Sequence, residues 1–267
     1  MDLTDAQKLL ASRILDYLRF ADRGELVCGN FLTPSEAAYA MTVAGELRAL
    51  DRIFLFGGYD DAERKMLFVL PTFLSDMDGE PFEKAKMYFE EEFSCAVKAI
   101  KIQGSGYRTL GHRDYLGSIL SLGIERFSLG DIVVCDEHSA VVFCTERIFD
   151  YLVGGIDKIA SDKVTVTEFL PDAGFSARRD FVSIRDTVAS NRLDCVVGAL
   201  TNLSREKSQM LIRSGLCEVN YVSEQRVDSE VKESSIITLR GYGKYQVVSF
   251  DGETKRGRLR LLAQKYV

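Results

Sequence analysis

The chain has no tryptophan, only two histidines and only four prolines among its 267 residues. It also lacks any apolar run near the ~18–20 residues that a bilayer-spanning helix needs, which excludes an anchor of that kind. The opening Met1-Asp2-Leu3-Thr4-Asp5 has neither the basic nor the apolar region of a signal peptide, so a cytoplasmic protein is expected. Six cysteines (Cys28, Cys95, Cys135, Cys144, Cys195, Cys217) are scattered, and no two form a Cys-x-x-Cys pair. They are expected to be reduced, mostly buried thiols and not a disulfide framework. With His112 and His138 as the only histidines, a zinc site lacks its ligand cluster, and no metal is expected.

What is present is ordinary globular material: 46% hydrophobic and 28% charged residues. A length of 267 residues fits two or three domains of ordinary size. Lys and Arg number 34 against 40 Asp and Glu, a net charge of −6, which taken whole argues against nucleic acid. The sum hides an asymmetry. Residues 1–177 carry 18 cations and 29 anions, net −11, whereas residues 178–267 carry 16 and 11, net +5. A basic terminal unit on an acidic body points to phosphate contact by the former.

The pattern of elements predicts a mixed α+β or α/β chain. Thr4 with Gln7 forms a capping box, followed by the apolar stripe Leu10, Ile14, Tyr17, Leu18 and Ala21. Thr33-Pro34-Ser35-Glu36 opens a second helix, expected to reach about Leu50. Short apolar runs at 53–56 and 66–70 read as strands, giving an N-terminal α/β domain over 1–75. The acidic stretch 79–93 fits either an exposed helix or a linker, within a connecting segment 76–96. From 97 to 170 the order is strand 97–102, helix 112–122, strands 131–135 and 140–145, helix 148–159 and strand 163–169. This βαββαβ order is the ferredoxin-like (RRM-like) arrangement. Its third strand offers only Phe143, so a base-stacking sheet of the RNA-recognition type is not expected. Residues 171–182 read as a linker carrying Arg178-Arg179. A smaller unit, 183–267, follows with helices 192–201 and 205–214 and strands 216–221, 236–240, 245–250 and 258–265.

Several motifs imitate enzymes. His112-Arg113-Asp114 looks like a kinase catalytic loop, but Ile119 stands where that loop needs asparagine. His112 or Asp114 is expected instead to start a helix, with Gly117 and Gly123 allowing close packing; Arg113 is the candidate to meet a phosphate. Gln103-Gly104-Ser105-Gly106 follows a strand but lacks both the third glycine of the dinucleotide fingerprint and the Walker lysine. It is read as a turn, and no cofactor is expected. Asp194, in Arg192-Leu193-Asp194, has a context like that of pseudouridine synthases, yet capping or a salt bridge is the expected role.

The C-terminal islands are Arg192-Leu193-Asp194, Ser204-Arg205 with Lys207, Ile212 with Gly215, Val219-Asn220, Leu239-Arg240-Gly241 and Gly243-Lys244. Together they resemble the RNA-binding domain named after small-subunit ribosomal protein four, the S-four domain with its αL-type motif. Phe56-Gly57-Gly58-Tyr59, Ala62-Glu63-Arg64, His112–Ser118 (sequence HRDYLGS), Leu122-Gly123-Ile124, Arg126 and Gly130-Asp131-Ile132 resemble the YlmH family. That resemblance spans nearly the whole chain. It implies an N-terminal α/β domain, a central RNA-binding-type domain and the S-four domain.

The resemblance further implies a non-enzymatic factor on the large ribosomal subunit. Its partners would be rRNA and peptidyl-tRNA, in ribosome-associated quality control of stalled nascent chains, with a further link to quality-control or cell-division proteins and no membrane. The candidate RNA contacts are Arg192, Arg205, Lys207, Arg213, Asn220, Arg240 and Lys244, joined by Arg178, Arg179 and Arg113. On a helical wheel Arg205 and Arg213 lie about 80° apart, and Lys207 about 200° from Arg205. Replacing Arg192 and Arg205 with Glu is expected to abolish binding and leave folding intact. The competing readings are an RNA-modifying enzyme anchored by its S-four domain, and a protein-interaction module in residues 1–177.

Overall fold

A computed structural model describes residues 4–172, 174–177 and 180–266. The chain divides into two compact units, Met1–Arg178 and Arg179–Val267. Each mixes helices with antiparallel sheet.

Unit 1 begins with α1 (Asp5–Ala21), β1 (Val27–Leu32), α2 (Pro34–Glu46), β2 (Ile53–Phe56) and β3 (Lys65–Val69). Both predicted capping boxes form: Thr4 with Gln7, and Thr33 with Glu36. The stripe Leu10, Ile14, Tyr17, Leu18 and Ala21 packs into one core with Ala40, Val43, Ile53 and Leu67. The helix α2 stops at Glu46 and not near Leu50, because Arg48 turns to φ 55 and Ala49 N–H returns to the Ala44 carbonyl. The three strands lie in the order β1-β3-β2, all antiparallel, so this part is α+β and the expected α/β character is corrected. Strand β1 was not expected, since Gly29 and Asn30 interrupt its apolar pattern and its register shifts between Cys28 and Phe31.

The acidic stretch resolves as two short helices, α3 (Pro81–Tyr88) and α4 (Glu90–Ala96). Their glutamates mask an apolar side: Phe93 is buried and Phe82 and Phe89 pack against the same core. Buried Lys84 donates to the Leu74 carbonyl at 2.9 Å.

The rest of unit 1 is β4 (Val97–Gly104), α5 (His112–Ser121), β5 (Leu129–Asp136), β6 (Ser139–Thr145), α6 (Glu146–Gly155), β7 (Lys158–Ile159) and β8 (Asp162–Glu168). The sheet order is β5-β6-β4-β8-β7, with every pair antiparallel. One sheet face packs on α5 and α6 through Ile100, Ile102, Tyr115, Ile119, Val142 and Leu152. The helix α6 ends at Gly155 and not at 159, where the chain instead pairs β7 with β8 around Ala160 at φ 53. Gly117 is exposed with nothing within 4 Å of a would-be Cβ, so the expected close packing there is corrected. Gly123, also with nothing within 4 Å of a would-be Cβ, does not serve the expected close packing either; at φ +80 it serves the turn after α5.

Unit 2 contains β9 (Phe181–Val188), α7 (Leu193–Thr201), α8 (Arg205–Arg213), β10 (Cys217–Val219), β11 (Val222–Ser223), β12 (Ile236–Leu239), β13 (Gly243–Glu253) and β14 (Leu259–Tyr266). Its sheet runs β11-β10-β12-β13-β14-β9. Both helices pack on one face, Val196, Val197, Leu211 and Ile212 against Ile237, Tyr245, Val247, Leu261 and Ala263.

Of the six cysteines only Cys144 and Cys217 are buried, which corrects the expectation of mostly buried thiols. Cys28 lies on an outward-facing position of β1. Among the described residues no helix is long and apolar enough to cross a membrane.

Candidate nucleic-acid interface

The centre of unit 2's helical side is the Asp194 carboxylate. The start of α7 is pinned by Leu193 N–H to the Ser229 carbonyl at 2.8 Å and Asp194 N–H to the Val227 carbonyl at 3.0 Å. Arg192, the N-cap residue, donates from Nε to Asp194 at 3.1 Å. Arg205 reaches across from α8 and donates from Nε at 3.2 Å, and Gln209 adds a bond of 2.8 Å. Burial opposes charge on this carboxyl. The hydrogen bonds from Arg192, Gln209 and Arg205 outweigh it and hold the group well below the usual carboxylate range. The salt-bridge role expected for Asp194 is therefore the one observed.

Two candidate cations thus serve the fold as well as a surface. The Arg192 and Arg205 side chains remain 40% and 68% exposed, so both still face solvent. Replacing both with Glu would set two carboxylates beside a buried third one. The expectation that such a variant folds normally is corrected on that ground.

The other candidates are placed as follows. Ser204 caps α8 by accepting from Lys207 N–H at 3.4 Å, and the Lys207 side chain is exposed in the first turn. Arg213 is exposed in the last turn. Neither makes an ion pair among the described residues. Arg240 is exposed in the β12–β13 turn, its N–H bonded to the Leu216 carbonyl at 3.0 Å. Asn220, at φ 50, is a structural turn residue: its N–H donates to the Ile236 carbonyl at 2.8 Å, and its Oδ1 accepts from Ile236 N–H at 2.9 Å. Lys244 Nζ sits 5.0 Å from the Tyr221 ring and 4.7 Å from the Tyr266 ring. The two tyrosines were missed in the sequence because they lie 45 positions apart. Arg178 and Arg179 lie outside the described residues. Arg113 is exposed on α5 and belongs to unit 1. Asp114 starts that helix, accepting from Gly111 N–H at 2.9 Å and pairing with Arg108 at 3.4 Å.

The glycine-rich and arginine motifs of residues 56–132 gather at an internal junction of unit 1. Asp131 accepts from the Tyr59 hydroxyl and Glu63 N–H, both at 2.7 Å, and from Arg64 N–H at 3.0 Å. Arg64 spans the Leu129 carbonyl at 2.9 Å and those of Phe31 and Arg126 at 3.3 Å. Burial, with Arg126 beside it, pushes the Arg64 guanidinium down to about 10, still protonated at neutral pH. Tyr59 stacks on Phe143 with ring centroids 4.8 Å apart, and Phe175 closes on both. The sheet face that an RNA-recognition domain would offer to bases is therefore covered by this chain's own aromatics.

Residues 89–171 match the family model described as "Putative RNA-binding domain in YlmH". The chain is 26% identical over 239 residues to ribosome-associated protein quality control protein P2 of Bacillus subtilis, covering 88% of this chain and 86% of that protein. Among solved structures it is similar to cell division protein ylmH from Streptococcus pneumoniae. That likeness has 14% identity and a TM-score of 0.46, covering 63% of this chain and 94% of the other. The resemblance to the YlmH family read from the sequence is borne out by the family model and the Bacillus relative.

Proposed function

We propose that this chain is a non-enzymatic, cytoplasmic RNA-binding factor that associates with the large ribosomal subunit and steadies peptidyl-tRNA during quality control of stalled nascent chains. The observation that carries this reading is the match of residues 89–171 to an RNA-binding domain model, within a chain similar over most of its length to a ribosome-associated quality-control protein. The β5-β6-β4-β8 order supports a ferredoxin-like central domain. The exposed cations on the helical side of unit 2 support an S-four domain over about 183–267.

In this reading Lys207, Arg213 and Arg240, with the outward faces of Arg192 and Arg205, meet phosphates of rRNA or tRNA. Arg178, Arg179 and Arg113 add charge. The covered central sheet makes that domain a docking body with no base-stacking platform. Phosphate contact without base readout positions a protein and makes its affinity fall with salt.

The test uses variants that leave Asp194 paired. The full chain carrying Lys207→Glu, Arg213→Glu and Arg240→Glu should pellet with purified large subunits about tenfold less well than the parent, with an unchanged melting temperature. Equal pelleting of variant and parent would overturn the site. Failure of the parent to pellet would overturn the function.

A further inference from the structure

The sheet of unit 2 has a second face, opposite α7 and α8, and its chemistry differs from its surroundings. Along β14, Leu259, Leu261 and Ala263 point into the helix-covered core, so residues 260, 262, 264 and 266 point the other way, and Arg258, just before the strand, joins them through its bond to the Thr187 hydroxyl. The β14–β9 register sets Arg260 opposite Thr187, Leu262 opposite Arg185 and Tyr266 opposite Phe181. Directly opposed residues share a face. Phe181, Arg185, Arg258, Arg260 and Tyr266 therefore lie on one surface, and Lys244 joins them from β13 through its contact with the Tyr266 ring.

This surface is open and ordered from within. Arg185, Arg258 and Arg260 are exposed, and Phe181 remains 38% exposed while its ring meets that of Tyr266 edge-on at 4.9 Å. Arg258 donates to the Thr187 hydroxyl at 3.0 Å and to the Thr187 carbonyl, which holds the hairpin end on β9. Arg185 and Arg260 line a shallow groove of about 480 Å³ together with Leu261, Leu262, Asp186 and Asp251. Asp251 at its rim accepts from the Ser249 hydroxyl at 2.8 Å, and neither arginine has an ion-pair partner among the described residues.

From these placements we propose that the open face of β9, β14 and β13 is a second RNA contact surface, which takes a single-stranded segment. The inference rests on the RNA-binding reading above and adds a site to it. Cations for phosphates beside aromatic rings for bases are what an unpaired strand requires. An A-form duplex hides its bases and has no use for the Phe181–Tyr266 pair. The distance from Tyr266 to Arg260 along β14 is about 20 Å, enough for several nucleotides. Because the helical cations face the opposite side, unit 2 would hold two RNA segments, one on each side of its sheet. The sheet of unit 1 cannot take this role, since Phe143 lies beneath Tyr59 and Phe175.

The experiment measures binding of the full chain to a fluorescein-labelled 12-nucleotide RNA of mixed, unpaired sequence at several KCl concentrations, beside pelleting with large subunits. The pair Arg185→Gln, Arg260→Gln should lower the slope of log affinity against log salt by about 1.4, as loss of two single-strand phosphate contacts requires. The pair Phe181→Leu, Tyr266→Leu should weaken binding about fivefold or more at an unchanged slope. Circular dichroism checks that both variants fold.

Three results would overturn the inference: no binding of the single strand by the parent; equal affinity and slope for parent and variants; or loss of subunit pelleting by the variants with single-strand binding intact, which would make this face a protein-docking surface. The helical-side triple variant fails or succeeds independently of all three, so the two RNA readings are separable.

Discussion

The Tyr59 hydroxyl donates to the Asp131 carboxylate at 2.7 Å across 72 residues of sequence. This bond joins the β2–β3 connection to the start of β5, and the same carboxylate anchors two backbone N–H groups of the connection. Hydrogen bonds to a charged group contribute about 1.5–3 kcal/mol each, and removing the shared acceptor strands several donors at once. Tyr59→Phe should therefore cost about 2 kcal/mol, and Asp131→Ala about 4 kcal/mol, in urea unfolding of the full chain. Equal costs for the two would mean that the tyrosine alone carries the junction.

Two glycines should respond in opposite directions to alanine. Gly58 has φ +99, and a Cβ there would press into the Phe143 ring. Gly58→Ala combines left-handed strain with overpacking and should destabilise by about 3 kcal/mol. Gly117, inside α5, has nothing within 4 Å of that position. Gly117→Ala should stabilise by about 0.5–1 kcal/mol, since helix propensity alone decides. Thermal melting of the two variants checks both signs.

Asp194 predicts how unit 2 responds to acid. Its folded pKa is depressed by Arg192, Gln209 and Arg205 against the opposing effect of burial. A depressed carboxyl contributes stability that is complete above the unfolded pKa, about 3.9, and is lost as pH falls toward the folded value. Stability should be flat in this group from neutral pH to about 5 and decline below about 4. Asp194→Asn should cost on the order of 3 kcal/mol at pH 7 and flatten the acid limb of the urea midpoint. An unaltered acid limb in the variant would assign that limb to other carboxyls.

Much of the local structure was legible because its signals are local. Thr4 with Gln7 and Thr33 with Glu36 mark helix starts within four residues, and both boxes form. Strand β9 and the helices α3 and α4 are faint in the sequence for physical reasons. Strand β9 lies at the edge of its sheet with most residues exposed, so no apolar alternation marks it. In 79–93 the glutamates dominate any charge count, while Phe82, Phe89 and Phe93 reach the core from one side. The candidate site was legible as a sum of cations but not as geometry. Nothing in the sequence tells that Arg205 spends its Nε on Asp194 while Lys207, two residues on, stays in solvent. Nor does Phe56-Gly57-Gly58-Tyr59 announce its role, since the partners of Tyr59 lie 72 residues away at Asp131 and 84 away at Phe143.

That difference between neighbours separates folding from binding. Arg205→Gln removes a donor from a buried carboxylate, but the arginine is 68% exposed, so solvent screens the pair and the cost should be only about 1 kcal/mol. Lys207→Gln touches no described partner and should change stability by less than about 0.5 kcal/mol. If both meet phosphate, each should lower the log–log salt slope of RNA binding by about 1. Arg205→Gln should thus shift both the melting temperature and the slope, and Lys207→Gln the slope alone. A slope that changes for Lys207→Gln but not for Arg205→Gln would assign Arg205 wholly to the fold and leave contact to Lys207, Arg213 and Arg240, which hold no carboxylate among the described residues.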